Sequence, residues 1–287
     1  MNEDYQYQIV MKDLRQFSQI YVVPLSDFHI GCGHTAIEII QGYIDWIKEH
    51  DNAFTILNGD LLNCATKDST PELFEDLITP DDAYKQLREL LEPIKSKVLM
   101  ITRGGHEGEI FRKVGHDYMA QLSYDLGNVP YKPDGGMVGL KLSQSTLYSD
   151  KPNRGSKIMI ATIYATHGWG GARTIGAKVK KTEDLVLAVH ADCYVLSHDH
   201  TQAVHRLNML EPAGWHGAKV PFLKVKRKLL INTGGFIEYS GYIQRKGYTP
   251  QDLGTPRIRI EAKVKGYHKR GTKNERYEYY LDLHASI

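Results

Sequence analysis

Seven side chains in this 287-residue sequence have the donor chemistry of a transition-metal centre: Asp27 and His29, Asp60, His106, His167, and His198 with His200. Each group ends a short apolar run. Ile20 to Leu25 leads into Ser26-Asp27-Phe28-His29, Ala53 to Leu57 into Asn58-Gly59-Asp60, and Val98 to Thr102 into Arg103-Gly104-Gly105-His106-Glu107. Ile158 to Thr166 leads into His167-Gly168, and Cys193 to Leu196 into Ser197-His198-Asp199-His200. Carboxylate mixed with imidazole suits Mn, Fe, Zn or Co better than Mg or Ca, which prefer all-oxygen shells. Seven donors also exceed the three or four that a single zinc-like ion takes from protein, so more than one ion is expected. Taken singly, each motif has an ordinary alternative: Asp-x-His and Asn-Gly-Asp are common turn sequences, and two histidines two apart can be surface imidazoles. The same placement repeated after five successive apolar runs is what points to a metal centre.

Those runs have the length of buried strands, and in an α/β sheet ligands gather where strands end at their carboxyl side. A sixth run, Leu229 to Ile231, ends in Asn232-Thr233-Gly234-Gly235. Helical patterns alternate with the strands. Thr35 is placed to cap a helix with Ile37, Ile40, Ile44 and Ile47 on one stripe. Asp81 and Asp82 head a second, with Tyr84, Leu87, Leu90, Leu91 and Ile94 inward and Pro93 set to end or kink it. Ile110, Phe111, Val114, Tyr118, Leu122 and Leu126 suggest a third, interrupted at Gly115. The class is therefore α/β. From about residue 220 the pattern changes: Arg257 to Val264 alternates strictly and Tyr277 to Leu283 is rich in tyrosine and leucine, which reads as late antiparallel strands.

Composition narrows the function classes. With 36 Lys and Arg against 34 Asp and Glu the net charge is only +2, which argues against a nucleic-acid binder held by bulk charge. A 41% hydrophobic content excludes disorder. The three cysteines, Cys32, Cys64 and Cys193, form no Cys-x-x-Cys pair, so a disulfide framework or zinc ribbon is not expected and a reducing compartment fits. Glu3 and Asp4 stand where a secretory signal needs basic residues, and no apolar run approaches the ~18 residues of a membrane span. The expectation is a cytoplasmic protein with no membrane partner.

The motif order Ser26-Asp27-Phe28-His29, Asn58-Gly59-Asp60, Gly105-His106-Glu107, His167-Gly168 and Ser197-His198-Asp199-His200 resembles the calcineurin-like metallophosphoesterase superfamily, over about residues 20 to 235. The phrasing Gly59-Asp60-Leu61-Leu62-Asn63 with Ala65-Thr66-Lys67-Asp68-Ser69 is similar to small stand-alone members encoded by bacteria and their phages. The resemblance implies a four-layer α/β (α+β) sandwich, two mixed β-sheets flanked by helices. It implies one domain over residues 1–287, a motif core at about 20–235, and strands in 236–287 completing the second sheet. It assigns Asp27, His29 and His200 to one divalent ion, His167 and His198 to another, and Asp60 to both. Mn2+ is the expected metal, with Fe, Zn, Co or Ni as alternatives. His106 would stabilise developing charge or protonate the leaving oxygen, with Glu107 either orienting it or exposed. The implied activity is hydrolysis of a phosphate ester by a hydroxide held between two ions. Phosphodiesters of nucleotide or nucleic-acid type are expected ahead of monoesters or phosphoproteins.

One position departs from the resemblance. The superfamily normally carries a metal-binding asparagine before the motif histidine, and here that residue is Gly105. Three consequences compete: a weakened but working second site, replacement by Asn58 or Asn63, or a binding or scaffold relative without turnover. The first is favoured because every other motif residue remains. Arg103 and Arg173 are candidate phosphate holders, since guanidinium can grip phosphate with two parallel donors. Lys178, Lys180 and Lys181 read as the start of a solvated helix face, and Lys224 to Lys228 as a solvated strand edge. Of the remaining histidines, His116 and His205 are the best placed to lie behind the ligands. The sequence sets no oligomeric state.

Overall fold

The computed structural model describes residues 6–65, 77–144, 157–172, 174–213, 220–240, 249–268 and 276–287. The strands are β1 (Val10–Asp13), β2 (Gln19–Leu25), β3 (Ala53–Asn58), β4 (Val98–Thr102), β5 (Gly136–Gln144), β6 (Lys157–Thr166), β7 (Cys193–Leu196), β8 (Ala203–Ala213), β9 (Phe222–Asn232), β10 (Arg257–His268) and β11 (Arg276–Ser286). The α-helices are α1 (Ile37–Glu49), α2 (Pro80–Leu91), α3 (Gly105–Val114), α4 (Tyr118–Asp125) and α5 (Ile175–Ala188), with a 3-10 helix at Glu92–Lys97. Two mixed sheets result, one in the order β11-β10-β2-β3-β4 and one in the order β1-β5-β6-β7-β9-β8. The late strands β10 and β11 are antiparallel, and β10 joins them to β2.

Most of the apolar runs are continuous because both faces of their strands are buried, while β6 keeps one face partly exposed at Ile158 and Ile160. Successive side chains of a strand point to opposite faces. Val22, Ile56 and Met100 enter the core shared with Val138, Ile163, Val195 and Ile231 of the other sheet. Their neighbours Val23, Leu57 and Ile101 turn outward to meet Ile40, Ile44 and Ile47 of α1, Leu87 and Leu91 of α2 and Leu122 of α4. On the far side, Leu185 of α5 packs on Tyr194 and Leu196 of β7. The order of layers is helices, sheet, sheet, helix.

Local chemistry sets the helix ends, in one case differently from expectation. Thr35 does not cap α1: its hydroxyl donates to the His29 carbonyl at 2.7 Å, and the cap position is Ala36. Thr79 caps α2, with Pro80 in its first turn, and Pro93 lies in the 3-10 turn that follows α2. Gly115, at φ 73°, ends α3, so the third helical pattern is two helices, and α3 starts five residues before the expected apolar stripe. The lysine runs depart from expectation at Lys178 and Lys228. Lys178 is buried, donating to the Asp199 carbonyl and to Thr201 Oγ1, because α5 turns that face toward the His198–His200 loop. The Lys224–Lys228 run is solvated as expected through Arg227, where β9 pairs only with β8 because β7 meets it from Leu229 onward, whereas Lys228 is fully buried 2.7 Å from Glu211.

Candidate metal centre

Five parallel strands end at one place on the seam between the sheets. From the five-stranded sheet, the loop after β2 brings Asp27 and His29, the loop after β3 brings Asp60, and the start of α3 after β4 brings His106. From the six-stranded sheet, β6 brings His167 and β7 brings His198 and His200. Asn58 ties the two sheets beneath them: its amide donates to the Thr166 carbonyl at 2.9 Å and to Ser197 Oγ at 2.7 Å, while its oxygen accepts from Thr102 Oγ1 at 3.0 Å.

The seven residues form three overlapping groups whose donor atoms lie within 4.8 Å of one another: Asp27, His29 and His200; His29, Asp60 and His106; and Asp60, His167 and His198. His200 Nε2 lies 3.3 Å from His29 Nε2 and 3.3 Å from Asp27 Oδ1. His167 Nε2 lies 3.0 Å from Asp60 Oδ2, and the His106 amide donates to Asp60 Oδ1 at 2.9 Å. Asp60 is therefore held between the groups.

The backbone is bent to make these approaches. Asp27 (φ 54°), His29 (φ 50°), Asp60 (φ 50°), His198 (φ 74°) and His200 (φ 50°) all take the left-handed conformation. Such residues cost of order 1–3 kcal/mol each and concentrate where function requires them, with Asp and His among the types that tolerate it best. Gly59 and Gly104 allow the Asp60 loop to meet α3. A Cβ on Gly59 would stand 2.5 Å from the Gly104 nitrogen, and one on Gly104 would stand 2.1 Å from the Asp60 nitrogen.

Hydrogen bonds on the far ring nitrogens fix which nitrogen faces the centre. A carbonyl oxygen can only accept, so His167 Nδ1 donates to the Asn58 carbonyl at 2.8 Å and His106 Nδ1 to the Asn63 carbonyl at 2.6 Å. His29 Nδ1 lies 3.2 Å from Asn63 Oδ1. The three rings consequently present Nε2 to the centre, the arrangement in which outer partners orient metal-binding histidines. Asn58 and Asn63 turn their side-chain oxygens to Thr102 Oγ1 and the His29 ring, not to the second group.

The protonation states of three rings suit a cation. Burial, reinforced by His106, holds His29 well below the usual imidazole range. Burial takes His200 down to about 3 and, with His167, lowers His198. These rings are neutral near pH 7 and can offer lone pairs. Burial, opposed by His167 and reinforced by Asp60, pushes Asp27 up to about 7. Burial would also raise Asp60, but His167 and His106 outweigh it and hold this carboxyl well below its usual value. In return Asp60 overcomes the burial of His167 and raises it to about 10. The plainest sign of fit is Asp27 Oδ1, which is buried and accepts no hydrogen bond among the described residues. A buried acceptor without a hydrogen bond costs roughly 1–3 kcal/mol, which a cation beside His29 and His200 would relieve. The donor set of both outer groups, imidazole and carboxylate, fits divalent transition ions.

Other sequence expectations divide. Glu107 is fully buried and accepts from the amides of Asp60, Leu61, Leu62 and Gly104, so it holds the Asp60 loop and not the His106 ring. Arg103 is engaged away from the centre, with Nη1 3.1 Å from Asp117 and its guanidinium 4.5 Å from the Phe111 ring centre. Arg173 and residues 66–69 lie outside the described residues. His116 and His205 are exposed and join none of the three groups. Lys181, expected on a solvated helix face, instead reaches Asp199 and the carbonyls of Trp169 and Gly170, joining the loop after His167 to the loop of His198 and His200. Its spacing of three from Lys178 on one helix face was the available signal.

Fold and site together define an α/β two-sheet protein with buried histidine and aspartate groups that can hold metal ions. No family model matches the chain, and no curated protein matches it. Among solved structures it is similar to a conserved uncharacterized protein from Streptococcus pneumoniae TIGR4 described as a predicted phosphoesterase. That similarity has 12% sequence identity and a TM-score of 0.36, and covers 94% of this chain and 99% of the other. A likeness so remote decides nothing about chemistry, which rests on the residues described above.

Proposed function

We propose that this protein is a metal-dependent phosphoesterase with two adjacent metal sites, acting on phosphodiesters of nucleotide or nucleic-acid type. The observation that carries the reading is the place of Asp60, grouped with His29 and His106 on one side and with His167 and His198 on the other. Asp27, His29 and His200 would hold one divalent ion, Asp60, His167 and His198 the other, with Asp60 serving both; Mn2+ suits the mixed donors. Two such ions lower the pKa of a shared water and clamp phosphate oxygens.

The chain's own residues supply the rest. His106 Nδ1 is fixed on the Asn63 carbonyl, so Nε2 is the atom that can carry a proton to a leaving alkoxide. Its main-chain amide holds Asp60 Oδ1 at 2.9 Å, which keeps acid and shared carboxylate in register. The lean to diesters is slight and rests on the help that such an acid gives an alkoxide in leaving. The near-balanced charge favours short or cyclic nucleotides over long duplexes.

Gly105 favours a second reading, a binding relative with weak turnover, since it offers no side chain to the second site. Three protein ligands with one open position nevertheless suffice for catalytic zinc-like sites. The test is turnover of bis-p-nitrophenyl phosphate, p-nitrophenyl phosphate and cyclic nucleotides with Mn2+. His106→Ala should cost roughly 10²–10⁴-fold on a diester. No metal-dependent turnover on any substrate would defeat the enzyme reading, and turnover of the monoester alone would defeat the diester preference.

A further inference from the structure

We infer that Glu107 is a positioning residue for metal loading, acting through Asp60; the inference rests on the two-site reading above. Its carboxylate is fully buried. It gathers four main-chain amides. Oε1 accepts from Leu61 at 2.6 Å and Leu62 at 3.0 Å, and Oε2 accepts from Asp60 at 3.0 Å and Gly104 at 3.0 Å. Three of the four belong to consecutive residues of the loop that carries the shared carboxylate.

The loop's shape explains why an anion is needed there. Gly59 (φ 80°) and Asp60 (φ 50°) are successive left-handed residues, and the amides that follow point into one concavity, an arrangement that binds anions. Without Glu107 those amides would be buried donors facing one another. The fourth amide, Gly104, is the residue before α3, so the same carboxylate also closes the amino end of the helix that presents His106. Gly104 has no side chain to cap that helix itself. Glu107 thereby fixes two parts of the centre against each other: the Asp60 loop, whose Oδ1 and Oδ2 reach His106 and His167, and the first turn of α3. Glutamine has the same shape but presents an NH2 to two of the four donors, so it should let the loop shift while leaving the fold in place.

The measurement is Mn2+ affinity and stoichiometry by titration calorimetry, with the coupling between bound Mn2+ ions read by electron paramagnetic resonance. The panel is the wild-type chain, Glu107→Gln, and Asp192→Asn as a control for losing a buried carboxylate remote from the centre. Asp192 accepts from Thr162 and pairs with Lys226. The expected result is at least a tenfold weaker second Mn2+ in Glu107→Gln, in the range that outer partners of metal ligands usually command, with Asp192→Asn unchanged. Equal affinity and coupling in wild type and Glu107→Gln, whatever the thermal stability, would overturn the inference while leaving the two-site reading intact. Failure of the wild-type chain itself to bind Mn2+ would overturn both. Should Glu107→Gln not fold, Glu107→Asp, which keeps the charge but shortens its reach by one methylene, is held to the same criterion.

Discussion

Gly105 is the residue at which the centre is open. A Cβ built there meets only Asp60 Oδ1, at 3.9 Å, so a side chain enters without displacing backbone and emerges beside the shared carboxylate. Gly105→Asn should therefore add an oxygen donor to the second site and tighten Mn2+ there by more than the ~10-fold that outer-shell changes command. Calorimetry on both forms checks this, and identical affinities would remove Gly105 from the account. Proton competition sets a second residue-scale expectation. Asp27 at about 7 and His167 at about 10 hold protons that a metal ion must displace. Apparent Mn2+ affinity should thus fall as pH falls: at the second site by up to about one decade per unit below about pH 9, where His167 competes, and at the first site below about pH 7, where Asp27 does. An affinity independent of pH from 6 to 9 would contradict these protonation states.

Among the elements, legibility in the sequence followed the physics of burial. Strands β2, β3, β4 and β7 showed as apolar runs because both their faces are largely covered, β6 showed although one of its faces is partly exposed, and their ends named the seven residues that converge. The late pair β10 and β11 showed by alternation. Strands β5 and β8 were not seen: Gly136 and Gly139 break the apolar signal in β5, and β8 runs through His205, Arg206, Asn208 and Glu211 to a proline. Supporting contacts were less legible still. Nothing in the spacing of Asn58, Glu107 or Lys181 says which backbone groups they will meet, because those partners are distant in sequence and are fixed only when the elements dock. The contact between the Asp60 loop and α3 gives a test at this scale. Gly104→Ala places a methyl group against the Asp60 nitrogen and should cost about 1–3 kcal/mol or more, as overpacking does, whereas Gly105→Ala one position along should leave the denaturation midpoint almost unmoved.

At the scale of the whole molecule, each proposed ion takes ligands from both sheets: Asp27 and His29 with His200 in one case, Asp60 with His167 and His198 in the other. Ions bound this way stabilise only the assembled state. Mn2+ at 100 times its dissociation constant should add about 2.7 kcal/mol per site to unfolding, seen as a rise in Tm that a chelator reverses. A Tm indifferent to Mn2+ and chelator alike would argue against ions spanning the seam. The seam also orders events during synthesis. His200 leaves the ribosome 173 residues after Asp27, and by then β2 to β7 have all been made. Ions held as proposed could not template the early chain. They would lock a topology already reached, so that their uptake would act as a quality check passed by finished molecules and failed by those with one sheet misplaced.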